Sequence, residues 1–542
     1  MPSLRLDQVR DEVRKKKHIN GWVLEKQESS WAPAGTWSNI DLDVTPVERR
    51  TWTSWTIFGY WFSDIISIQS WQTGSTILAL GLTWREAIFA IVFGSFVMGV
   101  PMALNGYTGA KTHAPFPILA RGSFGYHLAK FPVIVRFITA LFWHSITNFL
   151  AVGPMIQVIR AIWPSFRTVP NSIPASAGIT SQQMIAYFVV WTVQFPILLI
   201  PPHRMKWLFF VKVVMCVGTI VGMAIWTCTR SGGSGNIWDQ QATVSGSTKS
   251  WLIMWSLNSC TASWSTGEHA IFFPMIACWV AIIGVVVASA SYTIYHEYVW
   301  DPIAIIDSWD GPAGRAAAFF AGLSWVIAQI CVNMSATVIS GANDLANLFP
   351  KWINIRRGAI VITIIGGWAM VPWKILHSAG SLLSFMNNLG IFLAPTMTGS
   401  TTAADMNGGG KGHSNRRLFR RQEAESRHPG VVSASRPLPI LCGCQLAGTR
   451  VVAGVDCSCV AGSGEYVNPD VQIGGAIYLV QFNWYYGIVV AFGAYAGLSL
   501  IWPAKESLVP CMIESCEHAE EEQAGFEKER VVTTTTATAE KD

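Results

Sequence analysis

A chain of 542 residues, 51% hydrophobic and only 13% charged, cannot cover a water-facing surface of its own size; soluble proteins carry roughly 25% charged residues. With a mean hydropathy of +0.35, the composition excludes an ordinary soluble domain and predicts an all-α polytopic membrane protein, one large helical domain with polar ends. The net charge of +5 lies mainly in loops and gives no ground for a nucleic-acid partner.

Residues 1–50 are polar and basic and read as a cytoplasmic tail with no cleavable signal. The transmembrane core is read over 51–399. Its first apolar segment, Trp52–Leu82, is long enough to cross a bilayer, yet its centre carries Ser63, Asp64, Ser67, Gln69 and Ser70. Hydrocarbon penalises a carboxylate by at least ~2.5 kcal/mol, so this run is expected to face protein, water or a ligand. Interrupted helices at the bilayer midplane hold substrate and coupling ion in many transporters. Further spans of about 20 residues are read at Glu86–Asn105, Phe131–Trp163, Met184–Pro201, Trp207–Thr227, Ile271–Tyr295, Ala316–Ile339, Ala359–Trp373, Ser378–Pro395 and Trp484–Trp502. Trp251–Ala262 is too short to cross alone and reads as half of a broken helix.

Lys and Arg alternate between loops, with Arg14-Lys15-Lys16-Lys17, Lys111, Arg121, Arg204, Lys206, Lys351 and Arg356-Arg357 on one side. That places both termini in the cytoplasm if the span count is even. The 26 Trp suit interfacial belts and stacking surfaces, and the 11 scattered Cys read mostly as buried free thiols. From 400 to 466 the chain turns polar and Gly- and Arg-rich. Its Cys442-Gly443-Cys444 and Cys457-Ser458-Cys459 pairs have no supporting His or acid at ligand spacing, so a loop is the better reading than a zinc site. Residues 467–510 are read as a final membrane region, and 511–542 as an acidic, Thr-rich disordered tail.

Several motifs are similar to those of the nucleobase-cation symporter family, in its fungal uracil, uridine and allantoin permease branch. They are GYWFSDIISIQSWQTGSTILALGLTWREA from Gly59, APFPILARGSFGY from Ala114, RAIWPSF from Arg160, WTVQFPILLIPPHRMKWLFFVK from Trp191, EYVWDPIAIIDSW from Glu297 and GANDLANLFPKWINIRRG from Gly341. The resemblance implies a LeuT-like inverted-repeat fold of nominally twelve spans, with the first and sixth helices broken, and uptake of a nucleobase-like molecule driven by a cation gradient. Against that pattern the sixth helix is shortened after Trp264 and the eleventh is abnormal. The abrupt loss of family character over 400–466 suggests retained non-coding or frame-shifted sequence.

A flat heteroaromatic ligand needs a ring to stack on, worth roughly 1–3 kcal/mol per base in nucleic-acid binders, and amides to read its edge. The resemblance assigns stacking to Trp143, whose bland alternative is packing, with Trp264 as the opposite wall. It assigns edge reading to Gln69, whose alternative is capping the break, and to Asn333, whose alternative is an interhelical hydrogen bond. Thr147 and Thr337 stand where relatives carry Gln and Asn, which points to an altered ligand. For ion coupling the resemblance points to the backbone around Ile65, Ile68 and Ala328 plus two hydroxyls. Cys331 and Val332 occupy the hydroxyl positions, and neither offers sodium an oxygen. Proton coupling is therefore expected, with Asp64 as carrier unless it caps the aqueous end of its helix. His144 and Glu268 are secondary candidates, and Lys212 is expected to snorkel or pair internally. No nucleophile–base set or metal cluster points to an enzyme, and no cofactor beyond the proton gradient is expected. The alternatives carried are a transport-inactive sensor or disrupted product of the same fold, and thiamine or nicotinamide riboside as ligand. The expected location is the plasma membrane.

Overall fold

The computed structural model describes residues 22–24, 40–43, 45, 50, 53–121, 129–200, 206–262, 272–374, 482–490 and 493. Trp264, Glu268, the span read at Ser378–Pro395, residues 400–466 and the C-terminal tail lie outside them.

Among the described residues every regular element is helical. The broken first segment is α1, Ser54–Ile65, and α2, Ile68–Ala79. Then come α3, Trp84–Thr112; α4, Lys130–Leu150; α5, Val152–Ile162; α6, Ser181–Ile197; α7, Lys206–Ser231; α8, Gly246–Ala262; and α9, Phe272–Tyr295. A short α10, Pro302–Asp307, precedes α11, Gly311–Val332, which runs through a π turn, Asn333–Val338, into α12, Ile339–Leu348. The last is α13, Ile355–Trp368, and residues 483–490 form one more helical segment. Among the described residues, four stretches are long and apolar enough to cross a membrane: Lys130–Ile162, Trp207–Ser231, Met275–Tyr295 and Gly311–Leu348.

Caps set the boundaries. Thr53 accepts from the Thr56 amide at the start of α1, and Asn354 from the Arg357 amide at the start of α13. Thr180 and Gln183 form a capping box on α6. Asp301 caps α10, with Pro302 at its first position.

Two groups of helices form. In one, α2 packs on α9 and α3 on both α8 and α9; in the other, α4 packs on α12 and α13, and α5 on α11 and α6. Helix α7 touches α1, α9 and α11, and so bridges the groups. Apolar burial gains little inside lipid, so close backbone approach between small residues carries much of the packing. A Cβ at Gly284 of α9 would sit 2.5 Å from the Trp71 carbonyl oxygen, and one at Gly74 of α2 would overlap the Ala281 carbonyl. In the second group Arg136 of α4 meets the fully buried Asp344 of α12, Nη2 at 2.5 Å and Nε at 2.9 Å. The outward faces are apolar: Phe89, Phe93 and Phe96 on α3, and Phe210, Val214, Val221 and Ile225 on α7 are exposed. Rows of this kind at helical spacing suit contact with lipid tails.

Candidate functional site

The break is two residues wide. Ile66 (φ −69°, ψ 93°) and Ser67 (φ −148°, ψ 164°) are both extended. Two serines supply the capping that the freed backbone requires. Ser67 Oγ accepts from the Ser70 amide at 3.3 Å, and Ser70 Oγ donates to the Ile65 carbonyl. That carbonyl, expected to serve an ion, is thus already engaged. Ile68 and Ala328, the other positions expected in ion coupling, are both buried.

Because the serines cap the break, Gln69 does not. Its Nε2 donates instead to Thr147 Oγ1 of α4 at 3.3 Å, and its Oε1 has no partner among the described residues. The threonine expected to stand in place of an amide therefore holds Gln69. Trp143 lies one turn from Thr147 on the same face of α4 and is half-buried.

The next face of α4 does different work. Asn148 Oδ1 accepts from Asn333 Nδ2 at 2.8 Å and from Gln194 Nε2 of α6, while Gln194 Oε1 lies 3.3 Å from Asn333 Nδ2. Thr337 Oγ1 lies 2.5 Å from the Asn333 carbonyl and 2.7 Å from Asn333 Oδ1, and 3.5 Å from His144 Nδ1. Asn333 and Thr337 thus tie the π turn to α4 and α6, which is the interhelical alternative for Asn333. The His144 ring packs on Gly366 of α13, away from the face that carries Thr147 and Trp143. The structure brings together Gln69, Thr147 and the face of Trp143; it places Asn333 and Thr337 in an adjoining, closed network.

In the last turn of α1, Asp64 Oδ1 accepts from Ser335 Oγ of the π turn. Asp64 is 7% exposed, so it is not a cap at an aqueous helix end. The π turn is marked by the Ile339 amide bonding back to the Met334 carbonyl, five residues earlier. Such a turn widens the helix and is frequent at functional positions. Lys212 of α7 does not snorkel: it is fully buried, its Nζ has no hydrogen-bond partner among the described residues, and its charge acts on the Asp64 carboxyl of α1. An ammonium therefore stands where α1, α7 and α11 meet, beside the Cys331 position expected to be a sodium ligand in coupled relatives. The side chains at 331 and 332 bring no oxygen of the kind a sodium ion takes as ligand.

Sequence reasoning missed Ser335, Asn148 and Gln194 as parts of this region. Each is a polar side chain within an apolar span, the signal that singles out intramembrane function. Around the site, α10 is held to both helix groups. Gln72 Nε2 of α2 donates to Asp301 Oδ1 at 3.3 Å, while Gln157 Nε2 of α5 and Arg160 Nη1 donate to Asp307 Oδ1 at 2.9 and 2.6 Å. Burial raises the Asp301 carboxyl above the usual range, against bonds from the Ile303 amide and Gln72 that lower it.

Residues 44–427 match the family described as permease for cytosine/purines, uracil, thiamine, allantoin. An uncharacterized permease of Schizosaccharomyces pombe is 34% identical over 508 residues, covering 90% of this chain and 87% of that one. The uracil permease of Saccharomyces cerevisiae is 28% identical, covering 66% of this chain and 60% of its own length. The same yeast's allantoin permease is 27% identical over the same shares. Among solved structures, Mhp1, a nucleobase-cation-symport-1 family transporter closed around bromovinylhydantoin, superposes with a TM-score of 0.59 at 15% identity, covering 86% of this chain and 96% of the other. That likeness shows the fold, an all-α polytopic transporter of the LeuT-like kind. The chain belongs to the family of permeases for cytosine/purines, uracil, thiamine and allantoin.

Proposed function

We propose that this chain is a proton-coupled importer, at the plasma membrane, of a small planar molecule related to the nucleobases. The observation that carries the reading is the pairing of two features at one broken helix. On one side of the break, α2 offers an unpaired amide oxygen, Gln69 Oε1, on the flank of α4 that carries Trp143. On the other side, α1 offers a buried carboxyl, Asp64, against a buried ammonium, Lys212. The first set reads and stacks a ring. The second changes charge by one unit when a proton binds.

With Asp64 ionised, the pair is neutral and Ser335 donates to the carboxylate. Protonation removes the counter-charge of Lys212 and weakens a charge-assisted hydrogen bond. Both effects act where α1 touches α7 and the π turn, the seam between the two helix groups. A proton thereby shifts the balance between two arrangements of that seam, provided it favours one of them. Lys212 fills with protein charge the place a metal cation would need.

The name of the ligand follows from uptake. Radiolabelled uracil, uridine, allantoin and thiamine, presented to cells that lack their own permeases for them, are expected to show saturable, pH-dependent uptake of at least one, competed by the others in a fixed order. Uptake of none, with the protein at the cell surface, overturns the reading in favour of a transport-inactive member of the fold. Uptake that follows sodium rather than pH overturns the coupling alone.

A further inference from the structure

Gln329 on α11 is 1% exposed, yet neither its Oε1 nor its Nε2 has a hydrogen-bond partner among the described residues. Leaving a buried amide wholly unpaired is costly, and native structures rarely do it without a reason. The residue's place supplies one. It lies one turn from Trp325 and one turn from Asn333, on the same face of the helix. Trp325 is where α11 meets α2, edge-on against Trp71 at 6.3 Å between ring centroids. Asn333 is where the same face meets α4, through Asn148. Gln329 therefore stands between the two contacts that bracket Gln69 and Thr147, the direct link from α2 to α4.

Other buried polar atoms of α2 and α11, the helices that meet at Trp71 and Trp325, also lack partners among the described residues. Gln69 Oε1 and Gln72 Oε1 are three residues apart on α2, both buried and unpaired, and the buried indole nitrogens of Trp71 and Trp325 are unpaired as well. Several donors and acceptors left open between α2 and α11 mark a place where a polar ligand completes the hydrogen bonding. Asn333, by contrast, is occupied by protein partners on both ends of its amide.

We propose that Gln329 is a specificity-determining residue of the transport site, its amide pairing with an N–H/C=O edge of a cyclic ureide or imide whose other N–H groups meet Gln69 and Gln72. This rests on the transport reading above. An amide matches such an edge with one donor and one acceptor at once, and a site built to hydrogen-bond an edge rejects ligands that lack it.

The test compares Gln329→Met, which keeps the volume but no amide, and Gln329→Glu, which keeps an acceptor but no donor. Uptake of radiolabelled uracil, uridine, allantoin and thiamine is measured in cells lacking their own permeases, with surface protein quantified. Gln329→Met is expected to raise KM for the transported ligand about tenfold or more, the scale of one lost hydrogen bond, with Vmax per surface molecule retained. Gln329→Glu is expected to change the order in which the four compounds compete. KM values within about twofold of the unsubstituted chain in whichever variant reaches the surface, or a uniform fall in Vmax with the competition order intact, overturn the assignment, since a purely structural role gives the latter. If the unsubstituted chain carries none of the four, the transport reading fails and takes this inference with it. If it carries one and Trp143→Ala abolishes uptake while Gln329→Met does not, Gln329 alone is refuted.

Discussion

Replacing Asp64 with Asn is expected to do two separable things. Lys212 has no hydrogen bond of its own, and Asp64 is the acidic group that interacts with it. Removing that charge takes the offsetting carboxylate away from a buried lysine, a loss bounded above by the about 3–5 kcal/mol of a broken buried ion pair, since the two are not in direct contact. The lost charge-assisted bond from Ser335 is part of that figure, since bonds to charged groups are worth about 1.5–3 kcal/mol. Against a total stability of roughly 5–15 kcal/mol, Asp64→Asn should sharply lower both surface delivery and the melting temperature of purified protein. Lys212→Met on that background removes the orphaned charge and fills its volume with apolar atoms. The double variant should therefore recover most of the stability, with uptake, where it remains, no longer responding to external pH. The assay is a double-mutant cycle on melting temperature, run beside uptake across pH 5 to 8 (about the range in which plasma-membrane proton gradients act). If Lys212→Met fails to rescue Asp64→Asn, so that the two losses simply add, the residues are not coupled. If Asp64→Asn keeps both stability and pH response, the charge pair has no part in transport.

Trp143→Ala should abolish saturable uptake while the protein still reaches the surface, because the stacking partner is worth roughly 1–3 kcal/mol; undiminished uptake removes Trp143 from the site. Gly284→Leu should prevent accumulation of folded protein, since even a Cβ would lie 2.5 Å from the Trp71 carbonyl, whereas Gly218→Leu, with open space around it, should be tolerated; equal expression of the two contradicts the packing of α2 on α9. Asp301 has its carboxyl raised by burial, so its contribution to stability is greatest at low pH and falls as pH rises from the ordinary carboxylate range through the raised value. Asp301→Asn should flatten that part of the melting-temperature profile; an unchanged profile would show that Asp301 is not the group titrating there.

The break in the first span was legible because its chemistry is wrong for a lipid-facing helix: Ser63, Asp64, Ser67, Gln69 and Ser70 interrupt an otherwise apolar run. What was not legible was the division of labour within it. Any of these side chains could cap the free backbone, and the fold gives that task to Ser67 and Ser70, freeing Gln69 to reach α4. The assignment depends on rotamers and on the distance to Thr147, neither of which is carried by spacing. The π turn was hidden for a related reason. Asn333 and Thr337 are four apart, the ordinary interval for neighbours on one helical face, so the sequence gives no sign of the extra residue that aims Ser335 at Asp64.

Lys212 shows the limit most clearly. A lysine in an apolar span reads either as a side chain that reaches for the interface or as one that pairs inside the protein, and its position along the span does not decide between them. Whether it reaches water depends on what surrounds it, and α7 turns out to be the helix that bridges both groups. Burial on such a helix denies the ammonium any route to the interface and sets it against the carboxyl at the end of α1. Cys331 is among the groups the ammonium's charge acts on, and neither Cys331 nor Val332 adds a side-chain oxygen there. On the proposed reading, the lysine on α7 supplies from the protein itself a positive charge that a bound cation would otherwise bring. That reading leaves Asp64 as the group at the seam through which a transported ion would act, and the double-mutant cycle with Lys212 is what tests it.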